Sequence, residues 1–210
     1  MTGHYNWDYT DADSRIKKLY ELGKELNWDG EIDLDWSKGI ARDEYPIKPE
    51  MVARLEGPLA ALPEEKRLEY MRHDQAWALS QFLHGEQGAL LVASQLVSCA
   101  PTYQAKLYAA SQTFDEARHV EVFSRYLQRI HGLEYPVNKN LKALLDKTLT
   151  DPRWDLKFIG MQIVIEGLAL AAFQTTKETS NCPLLRQLVH YVIRDEARHV
   201  TFGINYLTEF

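Results

Sequence analysis

The hexapeptide "DEARHV" occurs at residues 115–120 and again at 195–200, an offset of 80 residues. A chain that spells one charged hexapeptide twice at that distance is constrained to two halves of one design. The same offset pairs Glu86 with Glu166, Ala89-Leu90 with Ala169-Leu170, and Tyr126-Leu127 with Tyr206-Leu207. In each half a glutamate stands 30 residues ahead of the hexapeptide glutamate. Each half is therefore Glu on one segment and Glu-x-x-His on the next. Packing the halves together predicts an approximate twofold axis along the molecule.

Prolines and glycines set the segment limits. Residues 63–100 carry no interior proline and no β-branched run, which predicts a long helix. Pro101 opens a second, running to about His131, with Gly132 as its stop. The stretch "YPVNKNLKALLDKTLT" is a connector with a short helix. Asp151-Pro152 starts a third long helix that reaches about Ser180, and Pro183 suits the first turn of a fourth. Short links suit antiparallel neighbours within each pair, and the connector 132–151 allows a crossover between pairs. Residues 1–66 read as an extension of the 67–210 bundle. It is irregular and partly helical, with a helix start near Asp11 or Asp13 and Ile16, Leu19 and Leu22 at helical spacing. Its Trp7, Trp28 and Trp36 suit either a cap on the bundle or a dimer face.

The net charge of −6, with Lys and Arg dispersed among acids, argues against nucleic acid as the main partner. The start "MTGHYNWDYTDADSR" lacks a basic region followed by an apolar core, so no signal peptide is expected. No membrane span is expected either; "ALLVASQLVSCA" comes closest, and Ser and Gln interrupt it. Cys99 and Cys182, far apart and outside any CxxC pattern, read as free thiols in a reducing cytoplasm.

The acids need an explanation. Glu166 lies in "MQIVIEGLALAAF" and Glu86 in "LHGEQGALLVAS", and a lone buried carboxylate costs on the order of several kcal/mol unless paired. Gly85, Gly88 and Gly167 flank them, which suggests close approach of a neighbour or space for a ligand. Glu and His three apart lie about 60° apart on one helix face and can share one metal ion. Glu86, Glu116, His119, Glu166, Glu196 and His199 thus make four carboxylates and two imidazoles, balanced by two divalent cations. A single DEARH is an ordinary solvated face; two copies in register with two apolar-helix glutamates are not. A ligating histidine donates its other N–H to a carboxylate or carbonyl. By the twofold logic Asp115 holds His199 and Asp195 holds His119, with Arg118 and Arg198 as counter-charges.

These residues resemble the ferritin-like superfamily of non-haem diiron carboxylate proteins over roughly residues 67–210. The resemblance implies an all-α, ferritin-like four-helix bundle with one long crossover and a partly helical N-terminal extension. The "DE-x-RH" form and "GEQGAL" are similar to the oxygen-activating branch, which holds multicomponent monooxygenase hydroxylases and ribonucleotide reductase small subunits. It implies that two iron ions activate dioxygen to oxidise or hydroxylate a small organic substrate. Manganese is compatible with one position. A ferredoxin or reductase is the implied electron donor, and a homodimer the implied assembly. Phe123 stands where the reductases carry a radical Tyr, and Leu170 where monooxygenases of aromatic hydrocarbons carry a Thr. Val192 stands where arylamine N-oxygenases carry a further His, which speaks against that subgroup. Many such families have further helices, so the chain reads as complete in its four-helix core or as a C-terminally truncated fragment.

The expected pocket wall is Phe82, Leu83, Ala89, Leu90, Phe123, Ile163, Leu170 and Phe173. The competing readings are a ferroxidase or peroxide-scavenging iron handler, a reductase-like protein with a metal-based radical, and a metal-free helical interaction module.

Overall fold

The computed structural model describes residues 3–10 and 15–208, so the expected helix start at Asp11 or Asp13 lies outside the described residues. Among these, the helices are α1 (Arg15–Glu25), α2 (Pro49–Val52), α3 (Gly57–Ala60), α4 (Glu64–Cys99), α5 (Tyr103–Tyr126), α6 (Lys139–Thr150), α7 (Trp154–Phe158), α8 (Glu166–Thr179) and α9 (Pro183–Thr208). A π turn, Leu127–His131, ends α5, and a longer one, Ile159–Ile165, joins α7 to α8. Four long rods result: α4, α5, α7–α8 and α9. The first is 36 residues, or about 54 Å at about 1.5 Å per residue.

Local chemistry sets the ends. Thr102 caps α5 by accepting from the Ala105 amide at 3.2 Å. Gly132 closes its far end at φ +65°, a left-handed turn that disfavours side chains. The Asn138 side chain caps α6, and Pro183 occupies the first turn of α9.

α4 packs on α5, and α8 on α9, with α5 meeting α9 between the pairs. The crossover helix α6 lies on α4, where a Cβ on Gly88 would come within 2.5 Å of Leu145. Gly88 therefore serves close packing; Gly85 and Gly167 face open space. The core falls into two clusters. One gathers Leu83, Phe123, Phe173, Leu188 and Val192; the other Val92, Leu96, Tyr108, Phe158, Phe202 and Tyr206. The repeated acids and histidines lie between these clusters along α4, α5, α8 and α9.

The leader packs on this frame. α1 lies against α5 and α9, burying Ile16 and Leu19, while Leu22 is exposed. Gly23, not Leu22, faces Arg198 and Ser111 across the contact. The Lys48 amide bonds to the Thr179 carbonyl at 2.9 Å, and the Asn181 amide to the Pro46 carbonyl at 3.0 Å, tying the leader to the α8–α9 link. Trp28 is buried, whereas Trp7 is exposed and stacked on Tyr5.

The continuous rod Trp154–Thr179 is long and apolar enough to cross a membrane by length and composition. "ALLVASQLVSCA" is therefore not the nearest approach to a span. In the bundle, that rod turns Met161, Gln162, Ile165, Glu166 and Phe173 inward. Cys99 and Cys182 are both free thiols, each buried.

Candidate metal centre

Each rod brings one part of the centre. α4 presents Glu86, the start of α8 presents Glu166, and α5 and α9 present Glu116/His119 and Glu196/His199. All six side chains are buried. They form two overlapping groups, Glu86–Glu116–His119–Glu196 and Glu116–Glu166–Glu196–His199, with ligand atoms within 4.8 Å of one another in each. Glu116 and Glu196 belong to both. His119 Nδ1 lies 3.2 Å from Glu86 Oε2, 3.4 Å from Glu116 Oε2 and 3.2 Å from Glu196 Oε1. His199 Nδ1 lies 3.1 Å from Glu116 Oε1 and 3.4 Å from Glu196 Oε2.

The outer edges of both imidazoles meet aspartates in a crossed pattern. His119 Nε2 is 3.2 Å from Asp195 Oδ2, and His199 Nε2 is 3.3 Å from Asp115 Oδ2. Arg118 Nη2 donates to Asp115 at 2.5 Å and to Asp195 at 2.9 Å. Arg198 Nη2 donates to Asp115 at 3.0 Å and to Asp195 at 2.8 Å. Two buried aspartates and two buried arginines thus close a neutral ring. Trp28, which sequence reasoning missed, donates from Nε1 to Asp195 Oδ2 at 2.7 Å and stacks on Tyr191. No pattern in the leader marks this tryptophan out from Trp7 and Trp36.

The donor set tests whether metal fits. An aspartate at Nε2 keeps the ring proton on that side and turns the Nδ1 lone pair toward the carboxylates. Lone pairs then face lone pairs. Glu116 Oε2, both oxygens of Glu196 and His199 Nδ1 are buried without a hydrogen-bond partner. Native interiors rarely leave such atoms unsatisfied, and cations satisfy all of them together.

The electrostatics carry the same demand. Burial pushes the carboxyls of Glu86 and Glu166 well above the usual range, and the neighbouring glutamate charges add to it. Burial pushes Glu116 the same way, but His199 and His119 overcome it and hold the group low. Burial disfavours a charged His119, yet Glu86 and the bond to Asp195 drive its pKa well above the usual value. Asp195 is held low against burial by His119, Arg198 and Trp28.

Two glutamines also went unrecognised in the sequence. Gln112 and Gln162 are fully buried beside Glu166. Gln112 Nε2 donates to Glu166 Oε1 at 2.8 Å. In the amide orientation that satisfies both groups, the Gln162 nitrogen donates to Glu166 Oε2 at 2.6 Å and its oxygen accepts from Gln112 Nε2 at 2.9 Å. The signal was available: both are amides in apolar helix stretches at helical spacing from a candidate ligand.

A cavity of about 240 Å³ opens onto Glu86, Glu166 and Glu196. Of the expected wall, Phe82, Ala89 and Phe173 line it. Leu83, Leu90, Phe123, Ile163 and Leu170 do not. Leu83 and Phe123 lie in the core behind Phe82, and Leu170 packs on the same cluster. Leu90 is half-buried away from the lining. Ile163 turns to α9, its Cδ1 2.9 Å from where a Gly203 Cβ would stand. The π turn changes the helical phase ahead of Glu166, so Ile165 lines the cavity instead. The rest of the wall is Gln81, Gly85, Leu168, Ala169 and Ala172, with Leu141 and Leu144 from the crossover helix.

This architecture is shared with solved structures. An R2-like ligand-binding oxidase with an aerobically reconstituted Mn/Fe cofactor matches with a TM-score of 0.68 at 22% identity, over 96% of this chain and 72% of that one. The R2-like ligand-binding oxidase from Sulfolobus acidocaldarius matches at 0.65 and 21% identity, over 95% and 72%. No curated protein matches the sequence. The family model described as p-aminobenzoate N-oxygenase AurF matches residues 9–210. That match overturns the argument from Val192 against the arylamine N-oxygenases: a valine, buried in the core, stands there in a member of the family. The chain belongs to the AurF family, among the ferritin-like non-haem diiron oxidases and oxygenases.

Proposed function

We propose that this protein is a dioxygen-dependent oxidase or oxygenase that acts on a small, uncharged, apolar organic molecule at a two-iron centre. One observation carries the reading: both oxygens of Glu196, a residue that lines the apolar cavity, are buried without hydrogen-bond partners, as are Glu116 Oε2 and His199 Nδ1 in the same cluster. Glu86, Glu116, His119 and Glu196 would hold one ion, and Glu116, Glu166, Glu196 and His199 the other. Bound iron supplies the redox change that dioxygen reduction needs and that zinc lacks. Manganese in one position is a variant of the same reading.

The chain's own residues do the rest. Asp115 and Asp195 keep the proton on Nε2 of His199 and His119, so that Nδ1 faces inward. Arg118 and Arg198 neutralise those aspartates without reaching the centre. Phe82 and Phe173, packed edge to face at 4.7 Å, keep water from the cavity side. The lining is apolar apart from Gln81 and the three glutamates, so a neutral substrate fits it better than a carboxylate such as p-aminobenzoate. Electrons come from a ferredoxin or reductase, and the protein works as a homodimer in a reducing cytoplasm, a setting that accords with its two free thiols.

The apolar cavity favours this reading over iron handling, which needs a polar path for hydrated ions. Anaerobic loading of apoprotein with Fe(II), followed by oxygen, tests it. We expect oxidation of two irons per chain, and tighter binding of a neutral aromatic amine than of p-aminobenzoate. Continued uptake of hundreds of irons would overturn it in favour of storage.

A further inference from the structure

The two halves of the repeat have diverged around their first glutamates. Under the 80-residue offset, Gln162 corresponds to Phe82, Gln112 to Val192 and Gly203 to Phe123. Around Glu86 the three positions hold Phe82, Val192 and Phe123, all in one apolar cluster. Around Glu166 they hold two amides and a glycine. The substitutions fit together: a Cβ on Gly203 would come within 2.8 Å of Gln162 Cβ, so the missing side chain makes the room that Gln162 occupies. Glu166 then receives N–H donors on both oxygens, from Gln112 at 2.8 Å and Gln162 at 2.6 Å. Glu86 has His119 Nδ1 at 3.2 Å beside phenyl rings.

We infer that Gln112 and Gln162 are positioning residues that make the two metal positions unequal. They hold Glu166 in one orientation as a carboxylate, so that the Glu116–Glu166–Glu196–His199 position binds its ion more tightly, while Glu86 is the carboxylate free to change its binding mode. The physical basis is preorganisation. A carboxylate already held by two donors loses less freedom on binding a metal, and outer partners of this kind are worth about 10–100-fold in metal affinity. The inference rests on the two-metal reading.

The test uses the full chain and Mn(II) alone, anaerobically, by calorimetric titration with electron paramagnetic resonance. Wild type is expected to show two binding events of unequal affinity. Gln112→Met and Gln162→Met keep side-chain length and remove the donors. Each is expected to weaken the tighter event about tenfold or more and to leave the weaker within about twofold. Gln112→Asn, which keeps an amide, is expected to recover part of the loss; it also serves if a methionine variant does not fold by circular dichroism. Equal weakening of both events, or no change in either, would overturn the inference. Failure of wild type to bind any Mn(II) would instead remove the two-metal reading beneath it.

Discussion

Glu166 and Asp115 illustrate two ways in which a buried carboxylate is tolerated here. Glu166 sits among apolar residues, where burial raises its pKa well above the usual range. Metal and the two amides would hold it in the charged form. Glu166→Ala is therefore expected to lower metal content from two ions per chain to one, measured by elemental analysis after anaerobic loading. Full retention of two ions would remove Glu166 from the ligand set. Asp115 is instead satisfied by Arg118 and Arg198. Replacing it with alanine strands part of the charge on two buried guanidinia. Breaking a buried pair from one side costs about 3–5 kcal/mol, so Asp115→Ala is expected to shift the urea midpoint by a corresponding amount. An unchanged midpoint would mean that Asp195 alone neutralises both arginines.

Helix packing sets the next scale. The π turn Ile159–Ile165 aims Gln162 at Glu166 and Ile163 at α9, where Gly203 accommodates both. Gly203→Ala is expected to destabilise the protein by about 1–3 kcal/mol through overpacking, because the nearest contacts include the Gln162 stem and not only a flexible tip. Thermal or urea unfolding measures it. The other π turn ends in His131, buried against Gln75 and near Arg72. Burial, with the Arg72 charge, lowers its pKa to about 4 from 6.5. The unfolded chain therefore binds more protons between those values, and stability falls as pH drops from about 6.5 toward about 4. His131→Gln is expected to flatten the stability profile in that window; an unchanged profile would assign the slope to other groups.

At the scale of the whole molecule, the bundle is a frame that holds repelling acids together. Four helices bring four glutamates into one buried space, and apolar clusters on both sides supply the packing that offsets it. Cations that bind only this folded arrangement stabilise it by mass action, about 2.7 kcal/mol at a hundredfold excess over Kd. Anaerobic Mn(II) is accordingly expected to raise the melting temperature of wild type. The rise should be absent in a Glu116→Ala/Glu196→Ala variant, which lacks both shared carboxylates. A rise of equal size in that variant would place the stabilising site elsewhere.

The duplicated hexapeptide and its 80-residue offset already determined the helix pairs, the six candidate ligands and the crossed aspartates. These follow from helical periodicity and pseudo-symmetry, both written along the chain. Tertiary structure decided what depends on phase and on distant partners. The π turn, invisible in composition, rotated Ile163 out of the cavity and Ile165 into it. Leu141 and Leu144 reached the wall because the crossover helix lies on α4, a placement no local pattern encodes. Trp28 found Asp195 from 167 residues away. The asymmetry of the centre, with amides at Glu166 and rings at Glu86, emerged only when Gly203 and Gln162 could be seen to share one space. A repeat read along the chain reports what its halves have in common; the packing around them sets them apart.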